Sequence, residues 1–196
     1  MPEALYFTDD EAACKLLATD PFALLMGFAI DQQVPVQKAF AGPLALKERV
    51  GTLDPRKLAE LDLEEAFREK PAIHRFPGSM AGRVRELAAV VAEDYDGDAS
   101  RIWNDAADTA DLKKRIGSLP GFGPMKVTAL GSVLALRFGV DAAKPLVPDH
   151  ACLGAVSSPQ ELADYQAAKR ARKAALRSAA AADRCCAARI TARSMR

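Results

Sequence analysis

The chain has 196 residues, which is enough for one globular domain or for two small lobes that share a core. Hydrophobic residues make up 49% and aromatic residues only 6%, so the core must consist mainly of Ala, Leu and Val, a composition that favours helices. The formal net charge of +1 gives no argument for a polyanionic partner, although the segment from Lys169 to Arg196 is strongly basic, with Asp183 as its single acid.

Apolar residues recur at three- and four-residue intervals in nearly every segment, and no strand-like alternation of β-branched residues persists. We therefore predict an all-α fold. The predicted helices run, in chain order, from Thr8 to Leu17, from Asp20–Pro21 to Ile30, from Pro35 to about Leu46, briefly from Asp54–Pro55, from Asp62 or Leu63 to before Pro71, from a break at Pro77–Ser79 to Asp96, from Ser100 to Asn104, from Thr109 or Asp111 to Ile116, from Pro124 to Phe138, from about Ala151, and from Pro159 to beyond Ala180.

The cysteines fit neither a disulfide framework nor zinc-ligand pairs separated by two residues. They are Cys14, Cys152, Cys185 and Cys186. No apolar run reaches membrane-spanning length, and acids such as Glu3 and Asp9 stand where a signal peptide has cations. We therefore expect free thiols in a cytoplasmic protein that has no membrane partner.

Ser118-Leu119-Pro120-Gly121-Phe122-Gly123 forms a tight connector between two predicted helices. Pro120 fixes one torsion, and the two glycines admit positive φ or a close backbone approach. Such a connector directs backbone N–H groups outward at a helix amino terminus, where partial positive charge attracts a phosphate. Lys126 in the first turn of the next helix can add a charge to the same phosphate. The plainer alternative is an ordinary turn between antiparallel helices.

Four stretches of the chain, in the same order, resemble the helix-hairpin-helix base-excision DNA glycosylases. They are Ala-Ile-Asp-Gln-Gln-Val at 29–34, Phe-Pro-Gly at 76–78 with the following helix that carries Arg83, Glu86, Leu87 and Ala88, the hairpin, and Leu-Val-Pro-Asp-His-Ala at 146–151. The resemblance covers roughly residues 20 to 156. It implies a single domain over 1–196 with two lobes, a helical barrel (20–139) that contains the hairpin (117–123) and a second lobe (1–19 with 149–180), followed by a basic tail (181–196) that we expect to be disordered.

By this resemblance, Asp149 is the catalytic carboxylate. Cleavage of an N-glycosidic bond builds positive charge on the sugar, and a carboxylate can stabilise that charge or orient the attacking water. The resemblance further implies DNA contacts and a K⁺ or Na⁺ ion on hairpin carbonyl oxygens. The DNA-binding residues would be Gly121, Gly123, Lys126, Gln32, Gln33 and His150, and the ion would lie on Ser118, Gly121 and Gly123. Without the hairpin, Asp149 would be a helix cap and His150 an ordinary packed or surface residue.

Family members that also cut the DNA strand carry a lysine two residues after the second hairpin glycine. Here that residue is Met125, and Lys126, one position later, is rotated by about 100° on the helix. We therefore predict a monofunctional glycosylase in which water is the nucleophile. Cys152 with Cys185 and Cys186 cannot supply four closely spaced ligands, so we expect neither an iron–sulfur cluster nor an organic cofactor.

The implied partner is double-stranded DNA with a damaged or mispaired base, bound by a monomer. Gln32 or Gln33 would enter the base stack, because a planar amide can bond the orphaned base. Trp103, Tyr6 and Phe22 could stack on an extruded base, although core packing is the commoner role. Two alternatives stay open: a DNA-binding module without catalysis, and an assembly factor without DNA contact. Alkylated purines, uracil, and deaminated or oxidised bases are all open as substrates.

Overall fold

The computed structural model describes residues 2–175, which contain helices and no strand. The prediction of an all-α fold is therefore confirmed, while the tail at 181–196, with Cys185 and Cys186, lies outside the described residues. Within that range the helices are α1 (Glu11–Thr19), α2 (Pro21–Ile30), α3 (Val36–Val50), α4 (Pro55–Leu58), α5 (Glu64–Arg68), α6 (Pro77–Asp94), α7 (Arg101–Asn104), α8 (Thr109–Gly117), α9 (Pro124–Phe138) and α10 (159–175). Two 3-10 helices, Asp141–Leu146 and Leu153–Ala155, lie between α9 and α10.

Helix α2 is the central helix of the core. Each of its residues after Pro21 is buried, as expected for a helix that is apolar on all sides. The Asp20 carboxylate caps it by accepting hydrogen bonds from the N–H groups of Phe22 and Ala23. Helix α3 packs along α2, and α1 lies against both. The carboxyl end of α2 consequently leads directly into the Gln32–Gln33 segment.

Across residues 2–175, no single helix is long and apolar enough to cross a membrane. Helices α1 and α2 meet the length and composition criteria together, with a bend of 116° between them.

Helices α8 and α9 flank the hairpin, and the predicted bounds of α9 are confirmed. Pro124 occupies the first turn of α9, and Gly139 ends the helix in a left-handed conformation with φ of 69°. Helix α9 packs against α8 and against both 3-10 helices. The hairpin is therefore anchored by two helices that belong to the same packed unit.

Two predicted helix caps were wrong by one to three residues. Asp10, not Thr8, caps α1, because its carboxylate accepts the N–H of Ala13 at 3.0 Å. Asp108, not Thr109 or Asp111, caps α8 by accepting the N–H of Asp111 at 2.8 Å. In both places several candidate cap residues stand within a few positions, and the one whose backbone is extended takes the role.

Two predicted helix bounds were too short. Pro77–Ser79 forms the first turn of α6 and not a break before it, since a proline at the first position loses no intrahelical hydrogen bond. Helix α3 continues past Leu46 to Val50, where Gly51 ends it at φ of 77°.

The helix predicted from about Ala151 was wrong. Asp149 lies in a bend, and a short 3-10 helix follows at Leu153–Ala155. The cause is close packing onto α9: a Cβ on Gly154 would lie 2.2 Å from the carbonyl oxygen of Ser132. The N–H of Gly154 also donates to Ser132 Oγ at 3.3 Å. Because the N–H of Gly154 is bonded to Ser132 Oγ, it does not make the bond to the carbonyl of His150 that a regular α-helix needs.

Candidate nucleic-acid interface

The hairpin is folded by its own apolar side chains. Leu119 and Phe122 are buried, and the N–H of Phe122 donates to the carbonyl of Leu119 at 3.1 Å. Gly121 between them has φ of 80°, a conformation that side-chain-bearing residues rarely adopt. Gly123 is extended and begins α9, with its carbonyl accepting the N–H groups of Lys126 and Val127 at 2.9 and 3.1 Å.

Three backbone N–H groups at this end of α9 have no acceptor among residues 2–175. They belong to Gly121, Gly123 and Met125, all of them exposed, and Pro124 between the last two has no N–H. They stand at the positive end of the dipole of a 15-residue helix. Exposed donors in this setting bind an anion such as a phosphate.

The carbonyl oxygens predicted to hold a monovalent ion differ in the hydrogen bonds that they accept. That of Gly123 accepts two N–H groups, whereas those of Ser118 and Gly121 accept no hydrogen bond from the described residues. Two of the three oxygens are thus open to a ligand. The ion itself stays a prediction.

Arg83 of α6 joins the hairpin to the Gln32–Gln33 segment. A Cβ on Gly121 would lie 2.7 Å from Arg83 Cδ, so the arginine stem lies directly against the hairpin backbone. At its other end, Arg83 Nη1 donates to Gln32 Oε1 at 2.5 Å. One side chain consequently spans two of the predicted DNA-binding elements.

Lys126 reaches the carboxyl end of α2. Its Nζ donates to the carbonyl of Ala29 at 3.2 Å and lies 5.5 Å from the centroid of the Phe122 ring. Burial lowers the pKa of Lys126 to about 8, and the nearby Arg83 adds to this shift while Asp31 opposes it. The Lys126 side chain is thus partly buried between α9 and α2. Its predicted contact with the phosphate at the hairpin stays a prediction.

The two glutamines differ in how they are held. The carbonyl of Gln32 accepts from His74 Nε2 at 2.8 Å, and His74 Nδ1 accepts the N–H of Phe76 at 3.1 Å. Since Nδ1 is an acceptor, the ring proton lies on Nε2. Gln33, in contrast, is exposed and has φ of 56°. Gln32 is fixed by its side chain and its backbone, and Gln33 lies outermost.

Asp149 and His150 form a second group with Arg172. The Asp149 side chain is fully exposed, at 102%, and its Oδ1 lies 3.2 Å from His150 Nδ1. Arg172 of α10 contacts His150 Nε2. Because a guanidinium only donates, Nε2 must accept, and the proton lies on Nδ1, where it is donated to Asp149. This hydrogen bond holds the pKa of Asp149 below its usual value.

The two groups of predicted site residues are not joined by direct contacts. Among residues 2–175, no hydrogen bond or ion pair links Asp149 or His150 to the hairpin. Of the aromatic candidates, Phe22 and Trp103 are buried in the core, with Trp103 packed against Phe138 at 6.4 Å, and Tyr6 is partly buried.

Sequence reasoning gave no site role to four residues that shape these groups. Arg83, His74 and Arg172 bond partners that lie 51, 42 and 22 positions away, so no local pattern marks them. Asp31 could have been identified from the sequence, because it is an acid directly after an all-apolar helix. Burial raises the pKa of Asp31, and Lys169 and Lys126 oppose that shift.

Comparison with known proteins finds no matching family model, curated protein or solved structure. The resemblance to helix-hairpin-helix glycosylases therefore rests on the sequence motifs.

Proposed function

We propose that the protein is a base-excision DNA N-glycosylase that hydrolyses the bond between a damaged or mispaired base and deoxyribose. The observation that carries this proposal is the set of three exposed N–H groups, at Gly121, Gly123 and Met125, which have no acceptor among the described residues. They stand at the start of α9 in the hairpin whose sequence resembles that of the glycosylases. In this proposal the helices form two lobes, and the flipped base enters the cleft between them.

The hairpin binds the DNA backbone and does not read bases. Amide donors bond phosphate oxygens of any sequence, which fixes the position of the protein on the duplex. Selectivity for the base then comes from the pocket into which the base is flipped. This division explains why phosphate binding can be inferred from the hairpin motif, whereas the substrate base cannot.

Asp149 supplies the negative charge that base release requires. As the base departs with the bonding electrons, positive charge develops on the sugar, and a nearby carboxylate stabilises it and orients the water that adds to the sugar carbon. The hydrogen bond from His150 lowers the pKa of Asp149 and so keeps it ionised. An ionised carboxylate fits this role, whereas a proton-donating acid would need a raised pKa.

Water is the nucleophile in this proposal. Met125, at the position of the strand-cutting lysine, has no amine and is 82% exposed. The amine of Lys126 donates to the Ala29 carbonyl at the end of α2. We therefore expect the product to be an abasic site in an uncut strand.

A panel of lesion-bearing duplexes tests the proposal. Duplexes with an alkylated purine, uracil, hypoxanthine or an oxidised purine are incubated with the protein, and abasic sites are revealed by alkaline strand cleavage. We expect release of at least one base. Borohydride trapping should leave no covalent adduct, and an adduct that vanishes in Lys126→Ala would contradict hydrolysis by water.

The second candidate is a DNA-binding module without catalysis. It is favoured by the full exposure of Asp149 and by the lack of a described contact between Asp149 and the hairpin. Duplex binding by the wild type with no base released from any member of the panel would establish this module in place of the enzyme. An assembly factor without DNA contact predicts instead that Gly121→Ala with Gly123→Ala leaves duplex affinity unchanged.

A further inference from the structure

Helix α10 is fixed to the core by its first half. Tyr165 is partly buried and packs against the core, and the next residue, Gln166, donates from Nε2 to Gln37 Oε1 at 2.7 Å. Arg172 follows Tyr165 by seven residues, which is two turns along the same face of the helix. The docked first half therefore brings Arg172 to the loop that carries His150.

Both ring nitrogens of His150 have a charged partner. Nδ1 lies 3.2 Å from Asp149 Oδ1, and Nε2 is in contact with the guanidinium of Arg172. A guanidinium has donors and no acceptor, so Nε2 accepts and the ring proton is on Nδ1. A doubly protonated ring could not accept from Arg172, so this contact selects the neutral ring. The hydrogen bonds thus run in one direction, from Arg172 through His150 to Asp149.

The second histidine of the chain has the opposite tautomer. His74 is buried, its Nδ1 accepts the N–H of Phe76 at 3.1 Å, and its Nε2 donates to the carbonyl of Gln32 at 2.8 Å. Both partners of His74 are backbone groups that the fold holds in place. The two partners of His150 are instead exposed side chains. Because a single exposed pair contributes little, Asp149 alone would hold the proton on Nδ1 only weakly.

We propose that Arg172 is a positioning residue: by donating to Nε2 it fixes the tautomer of His150, so that Nδ1–H holds the Asp149 carboxylate. The hydrogen bond at one ring nitrogen of a histidine determines which nitrogen carries the proton. The inference rests on the proposed function, in which Asp149 stabilises the sugar cation. Both ring nitrogens of His150 are then engaged within the protein, and His150 does not bind phosphate.

Lys173, the next residue on α10, gives a matched control. Arg172 and Lys173 are both exposed and carry the same charge, but Lys173 has no partner among the described residues. A general contribution of positive charge to DNA binding would be lost in either variant. Control of the His150 tautomer would be lost only in Arg172→Met, which keeps an unbranched apolar stem and removes the donors.

NMR measures the tautomer directly. The chain has two histidines, so the full chain labelled with 15N-histidine gives two sets of ring signals, and His150→Gln assigns them. At pH 8, where histidine side chains are mostly neutral, the wild type should carry the proton on Nδ1 of His150 and on Nε2 of His74. In Arg172→Met, the Nδ1 signal of His150 should move toward that of an unprotonated nitrogen. Lys173→Met should leave it unchanged, and an unchanged His74 signal verifies the fold of each variant.

Base release at two pH values separates this role from an effect of charge. Among the described residues, the charged groups that face His150 are Asp149 from its own loop and Arg172 from α10. At pH 8, Arg172→Met should release base about fivefold more slowly than the wild type in a single turnover, as expected for the loss of one hydrogen bond. At pH 5, a doubly protonated His150 carries Nδ1–H without Arg172, so the two proteins should differ by less than about twofold.

The tautomer of the free protein and the release of base can fail separately. The inference alone is overturned if His150 of the wild type carries its proton on Nε2, or if Arg172→Met keeps the proton on Nδ1. It is also overturned if Arg172→Met slows base release equally at pH 5 and pH 8, because Arg172 would then act as a charge beside DNA. If no member of the lesion panel loses its base while the tautomers are as expected, the proposed function is overturned and the control of His150 by Arg172 stands.

Discussion

The hairpin and the loop that carries Asp149 are built in opposite ways. In the hairpin, the side chains of Leu119 and Phe122 are buried and the backbone amides face outward. In the loop, the Asp149 side chain is fully exposed, and its described partner is the adjacent His150, which Arg172 of α10 contacts in turn. The first region is ordered by the core, and the second by a short chain of polar contacts at the surface.

Under the proposed function, this difference separates binding from chemistry. The backbone donors of the hairpin are already in place in the free protein, so DNA binding by them would cost little ordering. The fully exposed carboxylate would acquire its reactive surroundings from the bound DNA, since a water-excluded site strengthens its interaction with developing charge. Variants in the two regions should therefore fail in different measurements.

Asp149→Asn should have the largest effect. Loss of the carboxylate removes the charge that stabilises the sugar cation, so base release should fall by about 100-fold or more. Duplex affinity should stay within about threefold of the wild type, because the hairpin is untouched. Single-turnover base release with anisotropy on the same duplex measures both. Equal losses in affinity and release would contradict the division between the regions.

Gly121→Ala should be the most damaging hairpin change for stability. Alanine at φ of 80° costs about 1–2 kcal/mol, and its Cβ would also displace Arg83, 2.7 Å away. Melting temperature should therefore fall by roughly 2–8 °C for a chain of this size. Gly123→Ala is the matched control, because Gly123 has negative φ and open space around its Cβ position. Equal destabilisation of the two variants would contradict the packing described here.

Gly123→Pro tests whether the backbone N–H groups of the hairpin bind DNA phosphate. The Gly123 torsions are φ of −88° and ψ of 178°, and proline needs a φ shift of about 20°, so the substitution removes one N–H donor with a small backbone change that a melt should check. Duplex affinity should fall about tenfold, whereas Gly123→Ala, which keeps the donor, should bind like the wild type. Anisotropy at fixed salt makes the comparison. If the two variants bind alike, the N–H of Gly123 does not contact phosphate.

Lys126→Met should have the smallest effect and the opposite sign. Below pH 8 the lysine is charged in both states and its burial opposes folding, so methionine should raise the unfolding free energy by at most about 1 kcal/mol after allowance for solvent screening. Between the folded pKa of about 8 and the ordinary value of 10.5, the unfolded chain binds more protons, so wild-type stability rises with pH. The difference in unfolding free energy between Lys126→Met and the wild type should therefore decrease over that pH range.

Chemical unfolding at pH 7 and pH 9.5 measures this convergence. Lys113→Met on α8 is the control, because Lys113 is exposed, and it should show no pH-dependent gain. A constant gap between wild type and Lys126→Met across the two pH values would mean that Lys126 titrates at its ordinary pKa.

Sequence signals predicted the helix starts that depend on neighbouring residues. Asp20–Pro21 and Pro124 marked the starts of α2 and α9, since caps and first-turn prolines act within a few residues. The helix expected from Ala151 failed because Gly154 packs on Ser132, a contact between segments far apart in sequence. The hydrogen bond between Arg83 and Gln32 was likewise beyond local signals, because the two residues lie 51 positions apart.

Helix α9 also fixes the distance between the hairpin and the segment that follows Asp149. The hairpin amides lie at its start, and Ser132, eight residues after Pro124, receives the N–H of Gly154 from the segment that follows Asp149. At 1.5 Å per residue, these points are separated by about 12 Å along the helix axis. One residue inserted between Pro124 and Ser132 would turn the hairpin by about 100° relative to that anchor, whereas one inserted after Ser132 would leave their spacing intact.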